Sequence, residues 1–275
     1  MKTVDILLAT YNGEKYIAEL LQSISRQTYT DWMLIVRDDN SSDSTEEIVN
    51  SFKNNHPGKV ILIKDSLSCG SAEKNFSELL SYSRNDYFAF CDQDDVWNDN
   101  KLELMVGAIE KLDNTKPALV FSDLEVVDEN LITIDSSMGR SQKLDFPGSY
   151  TFPLLRVHNS VTGCATLANS LARETFGKPD LSNIRMHDWW LAAKVALTGK
   201  VKYIRQTTIK YRQHDSNVVG YQQFSILRFL SKINYEYLIS DFNDCKRFNL
   251  ELDGKKIRMP HYIYLRLSVL IRKLV

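Results

Sequence analysis

The first 95 residues alternate short apolar runs with stretches of helical spacing, and this alternation restricts the fold more than any other feature. Residues 4–9 are apolar apart from Asp5. After Thr10-Tyr11-Asn12-Gly13, Ile17, Leu20, Leu21 and Ile24 recur every three or four positions, as in a helix with one buried face. Residues 31–36, 60–63 and 87–91 are further runs of strand length, with helices expected at 44–53 and 72–83. Connections are short and carry no hairpin signal. Strand and helix three times over, then a strand, predicts a parallel, doubly wound α/β sheet.

Ligands of such sheets bind beyond the carboxyl ends of the strands. Here those ends read Thr10-Tyr11-Asn12, Asp38-Asp39 and Asp92-Gln93-Asp94-Asp95. Three carboxylates within four positions repel one another. A hard divalent cation such as Mg²⁺ or Mn²⁺ relieves that repulsion, and a merely solvated acidic turn is the other reading. No GxGxxG or GxxxxGK[ST] glycine loop is present to cradle a phosphate. If a nucleotide binds here, its phosphates need a metal, which returns the argument to the acids.

At 275 residues the chain is long enough for one large domain, or one domain with an appendage. Its formal net charge of −1 makes no general case for nucleic acid as a partner. The charge is unevenly spread: residues 221–275 hold ten Lys/Arg against five Asp/Glu. Four widely spaced cysteines without a CxxC pair fit free thiols in a reducing compartment. The N-terminus reads as a first strand rather than a signal peptide. No run of 18 apolar residues predicts a membrane-spanning helix. The expected location is cytoplasmic.

Further along, residues 101–112 are expected to be a helix and 118–121 a strand. Residues 124–127 and 131–134 are expected to form a hairpin, and 135–157 a loop. Gly163 would permit a close backbone approach. A short helix is expected at 168–176. Asp188, in Met186-His187-Asp188-Trp189-Trp190, precedes an apolar helix expected at 191–198. It could be an N-cap, or a carboxylate made more basic by two neighbouring tryptophans. Strands are expected at 201–204 and 208–211, leading into Arg212-Gln213-His214-Asp215-Ser216-Asn217. His214 could be a surface histidine or a ligand. From Tyr221 the α/β rhythm stops, and Phe224, Leu227, Leu230, Ile233 and Leu238 suggest helix. The basic, largely apolar stretch at 258–273 could lie on a membrane interface, or dock on its own domain or a second subunit. Domains are therefore expected at 1–220 and 221–275.

Thr10-Tyr11-Asn12-Gly13-Glu14, Ser23…Gln27-Thr28, the run from Asp38 to Thr45 and Asp92-Gln93-Asp94-Asp95 resemble, in order and spacing, the family-2 glycosyltransferases of GT-A fold. The likeness covers roughly residues 3–220. It implies a Rossmann-like, mostly parallel sheet with a C-terminal helical extension. It also implies a nucleotide-diphosphate sugar donor, Mn²⁺ or Mg²⁺, and inversion at the sugar carbon. By position, Asp39 would bond the base, with Thr10, Tyr11, Asn12 and Glu14 lining the nucleotide pocket. Asp92 and Asp94 are the outer residues of the family's DxD motif, with Asp94 the expected direct metal ligand and Asp95 beside the sugar or the metal's waters. Asp188 falls where the family places its catalytic base, with His187 in place of the usual acidic neighbour. The 212–217 segment resembles rhamnosyltransferase-like members, so that His214 would reach the metal or diphosphate and Arg212 the phosphates. The expected donor is dTDP-rhamnose, with a UDP-hexose next and an inactive sugar-nucleotide-binding homologue as a further alternative. The acceptor would be a glycan or lipid-linked glycan at the inner face of the cytoplasmic membrane.

Overall fold

A computed structural model describes residues 2–65, 68–146, 148–215, 217, 220–225 and 235–274. The alternating first part folds as β1 (Val4–Thr10), α1 (Ile17–Ser25), β2 (Trp32–Asp38), α2 (Thr45–Asn55), β3 (Val60–Ile63), α3 (Ala72–Tyr82) and β4 (Tyr87–Cys91). The second part comprises β5 (Val96–Trp97), α4 (Lys101–Ile109), β6 (Ala118–Val127), β7 (Thr133–Asp135), α5 (Met138–Ser141), α6 (Phe152–Leu155), β8 (Thr166–Asn169), α7 (Ser170–Phe176), α8 (His187–Thr198) and β9 (Lys200–Arg212). Helices α9 (Tyr235–Asp253) and α10 (Met259–Leu274) follow.

Nine strands among the described residues form one sheet in the order β3-β2-β1-β4-β8-β6-β9-β5, with β7 on β6. Strands β3, β2, β1 and β4 are mutually parallel. Their residues alternate between two cores, as a strand's two-residue period requires. Val4, Ile6 and Leu8 join α1, α2 and α4 on one face, while Leu7, Phe88 and Phe90 join α3, α7 and α8 on the other. Asp5, the one acid inside β1, is buried and pins the turn before β4. It accepts bonds from Ser83 Oγ, the Arg84 and Asn85 N–H groups and Asn85 Nδ2, at 2.7–2.9 Å.

The second half departs from expectation. Strand β8 runs antiparallel to both β4 and β6, so the sheet is mixed. The expected strands at 118–121 and 124–127 are one ten-residue strand, and those at 201–204 and 208–211 are also one. Their polar centres misled the reading: register shifts there keep β6 and β9 parallel-paired throughout. The loop expected at 135–157 contains two one-turn helices. Helix α8 begins at His187, four positions early, with Met186 as its N-cap, so Asp188 lies within the first turn and is not the cap.

Helices α9 and α10 pack against the domain. Cys245, Tyr262, Leu265 and Val269 meet Phe146, Leu154 and Val157 in a third core. Leu227, Leu230 and Ile233, expected to be helical, lie outside the described residues. All four cysteines are unpaired.

Candidate active site

The carboxyl ends of β1, β2 and β4 lie side by side in the sheet and bring their turns together. Thr10 Oγ1 donates to Asp38 Oδ1 at 2.7 Å, and Ser41 N donates to Asp38 Oδ2 at 2.7 Å. Asn12, held at φ 47°, accepts from Ser42 N through its Oδ1 and donates its own N–H to Ser41 Oγ. Glu14 does not hang free: its Oε2 accepts from Ser44 N just ahead of α2. Tyr11 is 58% exposed. The Gln93 side chain grips both its N–H and its carbonyl at 2.9 Å, tying the β1 turn to the acidic loop. Gln93 was not singled out in the sequence, although it stands inside the acidic run.

Asp39 is buried and fully engaged. Oδ1 accepts from Cys69 N at 2.5 Å and Arg37 at 3.2 Å, and Oδ2 from Gly70 N at 2.8 Å. Burial opposes its charge, but these donors outweigh burial and hold the carboxyl below its usual value.

The acidic loop behaves differently. Asp92, Asp95 and Cys164 each bring one ligand-type atom within 4.8 Å of the others. Asp95 is fully buried; Oδ1 accepts from Arg212 N at 3.1 Å, while Oδ2 has no hydrogen-bond partner. Burial and mutual repulsion among the loop's acids raise the carboxyls of Asp92 and Asp95. A divalent cation removes that penalty, so these residues fit a hard metal ion such as Mn²⁺ or Mg²⁺. The thiol is a poor ligand for a hard ion, and burial pushes it well above its usual pKa.

The trio Asp94, Asp92 and His214 does not assemble as such a cluster among the described residues. Asp94 turns instead to His214 Nε2 at 2.8 Å and Asn217 Nδ2 at 3.3 Å. Arg212 also departs from its expected place. It is 2% exposed and donates to the carbonyls of Asp94 and Glu129, at 2.8 and 2.6 Å, and to Glu19. Its guanidinium lies 4.5 Å from the Tyr16 ring. Here it braces the acidic loop from within the protein. Lys101, likewise unforeseen, is buried with Nζ on the Cys164 carbonyl and 3.6 Å from the Trp97 ring centre. Burial lowers its pKa to about 8.

Asp188 is 7% exposed. Gly163 N donates to Oδ2 at 2.8 Å, and Asn159 Nδ2 to Oδ1 at 3.3 Å. Burial, the largest influence, pushes its carboxyl up to about 6 against those bonds. A side chain at position 163 would press on His187 Nε2 and Asp188, which explains the glycine. His187 stacks on Phe76 at 4.2 Å and meets Phe90 edge-on. Neither of its nitrogens has a hydrogen-bond partner, and burial depresses its pKa to about 3, so it stays neutral. A buried carboxylate raised in this way, close enough to Asp92 to raise that acid in turn, can accept a proton from a hydroxyl group near neutral pH.

Solved structures share the GT-A fold of this sheet. Staphylococcus aureus TarS in complex with UDP aligns over 98% of this chain and 71% of its own, at 17% identity and TM-score 0.64. A mannosyltransferase from Pyrobaculum calidifontis, in complex with GDP-Man and Mn²⁺, covers 98% of this chain and 80% of its own, at 13% identity and TM-score 0.59. The chain belongs to glycosyl transferase family 2, whose family model matches residues 5–173, and is a glycosyltransferase. It is 31% identical over 223 residues to the dTDP-rhamnosyl transferase RfbG of Shigella flexneri, covering 78% of this chain and 73% of RfbG. An uncharacterized glycosyltransferase of Rickettsia typhi is also 31% identical, covering 79% of this chain and 66% of its own. The chain thus spans about two thirds to three quarters of the length of these relatives.

Proposed function

We propose that the chain is an inverting glycosyltransferase moving L-rhamnose from dTDP-rhamnose to a hydroxyl of a growing cell-surface glycan. The observation that carries the mechanism is Asp188: a buried carboxylate, raised to about 6, fixed by Gly163 and Asn159. The likeness to RfbG supports the donor. Asp188 takes the proton of the acceptor hydroxyl as that oxygen bonds the anomeric carbon. The bond from that carbon to the diphosphate oxygen breaks, and dTDP leaves with the electron pair. Asp92 and Asp95 would hold Mn²⁺ or Mg²⁺, which supplies positive charge for the departing diphosphate. Thr10, Tyr11, Asn12 and Asp39 frame the nucleoside end. Asp94 and its partner His214 border the loop and offer it a further carboxylate.

The reading is tested by thermal shift with Mn²⁺ and a panel of nucleotide sugars, followed by turnover on the donor that binds. Ligands that bind the native state raise its melting temperature by mass action. dTDP-rhamnose should give the largest shift. A larger shift with a UDP-hexose would replace the donor, as the 27% identity to the Escherichia coli glucosyltransferase WfgD allows. Binding without turnover on any acceptor would favour an inactive homologue.

A further inference from the structure

Helix α10 is apolar on two opposite sides. Tyr262, Leu265 and Val269 point inward to the third core. Ile263, Tyr264, Leu267, Ile271 and Leu274 are between 42% and 65% exposed. At 3.6 residues per turn, these five fall within an arc of about 100°, opposite the inward set. One apolar face is enough to dock the helix. The second leaves five large side chains in water, an arrangement that marks an interaction surface.

The charge along this segment has one sign. From Lys255 to Leu274 there is no Asp or Glu. Lys255, Lys256 and Arg258 are exposed just ahead of the helix, and Arg272 is exposed near its end. Cations therefore bracket the apolar residues. A second copy laid on the stripe about a two-fold axis would set one basic end against the other, with no acid in the segment to pair them. An anionic lipid surface suits both features: acyl chains for the stripe and phosphates for the cations. No described helix is long and apolar enough to cross a membrane, so α10 would lie in the interface rather than span it.

We propose that the outward face of α10 docks the protein onto an anionic bilayer. Ile263, Leu267, Ile271 and Leu274 enter the acyl boundary, Tyr264 sits at headgroup level, and Lys255, Lys256, Arg258 and Arg272 meet the headgroups. The inference stands on this helix alone and is independent of the donor and acceptor named above. Its consequence for the reaction is that lipid-anchored acceptors would be met in two dimensions.

The test is flotation of the whole chain with phosphatidylcholine vesicles, with and without about one third phosphatidylglycerol. Wild-type protein should float only with the anionic vesicles. The Leu267→Asp/Ile271→Asp double variant should bind at least about tenfold more weakly, with an unchanged melting temperature because both positions are exposed. Lys255→Glu/Lys256→Glu, outside the helix, should weaken binding by about tenfold or more, which keeps the proposal testable if the helical variant misfolds. Three results would overturn it. These are absence of wild-type binding to anionic vesicles, binding indifferent to phosphatidylglycerol or to the substitutions, and a dimer in sedimentation velocity that the Leu267/Ile271 variant dissociates.

Discussion

The carboxylates ending β2 and those ending β4 share one edge of one sheet, yet their surroundings treat them in opposite ways. Asp38 and Asp39 are saturated by Thr10, Ser41, Cys69, Gly70 and Arg37. Asp92 and Asp95 repel each other, and one oxygen of Asp95 is buried without a partner. The first pair builds the turns at this edge of the sheet. The second pair keeps unused coordinating capacity, which only an outside positive charge can satisfy. Asp188 lies between these cases: it is anchored by three donors, Gly163 N, Asn159 Nδ2 and Trp189 N, but still raised by burial. The contrast separates residues whose loss harms folding from residues whose loss harms chemistry, and substitutions can break it.

The largest effect is expected at Asp188. Asp188→Asn keeps the size of the side chain and removes the proposed base, so turnover should fall by about 10²–10⁴-fold, while donor affinity measured by calorimetry stays near wild type. Full turnover would exclude Asp188 as the base. Next, Asp39→Ala strands the Cys69 and Gly70 N–H groups and the Arg37 guanidinium. Chemical denaturation should show a loss of about 2–4 kcal/mol. An unaffected stability would mean that Asp39 is not the anchor of its turn. Asp95→Asn should behave in the opposite sense: no loss of metal-free stability, but a Mn²⁺-induced rise in melting temperature that disappears.

Smaller pH effects follow from the same contrast. The Asp92 carboxyl is raised to about 7 by burial and by its acidic neighbours. A raised carboxyl contributes stability below its unfolded value of about 3.9 and loses it as pH climbs through the folded value. Metal-free wild type should therefore lose stability relative to Asp92→Asn between about pH 4 and 7, as read by melting curves. Asp39, held low, contributes above its unfolded value and loses that contribution as the solution turns acid. With saturating metal and donor, kcat should rise as pH passes about 6 and Asp188 loses its proton, then level off.

The parallel half was legible because its central strands are buried on both faces and read as apolar runs, broken in β1 by Asp5. Tyr87 to Cys91 is buried at every position. The mixed half was not. Ser122-Asp123 interrupts β6 with polar groups whose partners are distant. Asp123 accepts from Ser137 Oγ and Gly139 N, fourteen and sixteen residues away, which no local pattern reveals. In β9 the polar Arg205-Gln206-Thr207 coincides with an irregular register against β6. At the site, residue types marked the loops, but not which acid faces which partner. Asp94 and Asp95 are adjacent in sequence. One turns to His214, while the other is sealed beside Cys164. Arg212 was expected at the phosphates from the resemblance of its segment alone, and nothing local in the sequence shows that it is buried against Glu19 and Tyr16.

The division of labour between the acidic loop and Asp188 is tested most directly by calorimetric titration of dTDP with Mn²⁺ into wild type, Asp95→Asn and Asp188→Asn. The account predicts that Asp188→Asn binds like wild type and that Asp95→Asn binds at least about tenfold more weakly, the order of effect expected when a carboxylate ligand of a phosphate-bridging cation is lost. Undiminished metal-dependent binding by Asp95→Asn, or a collapse of binding in Asp188→Asn, would contradict it.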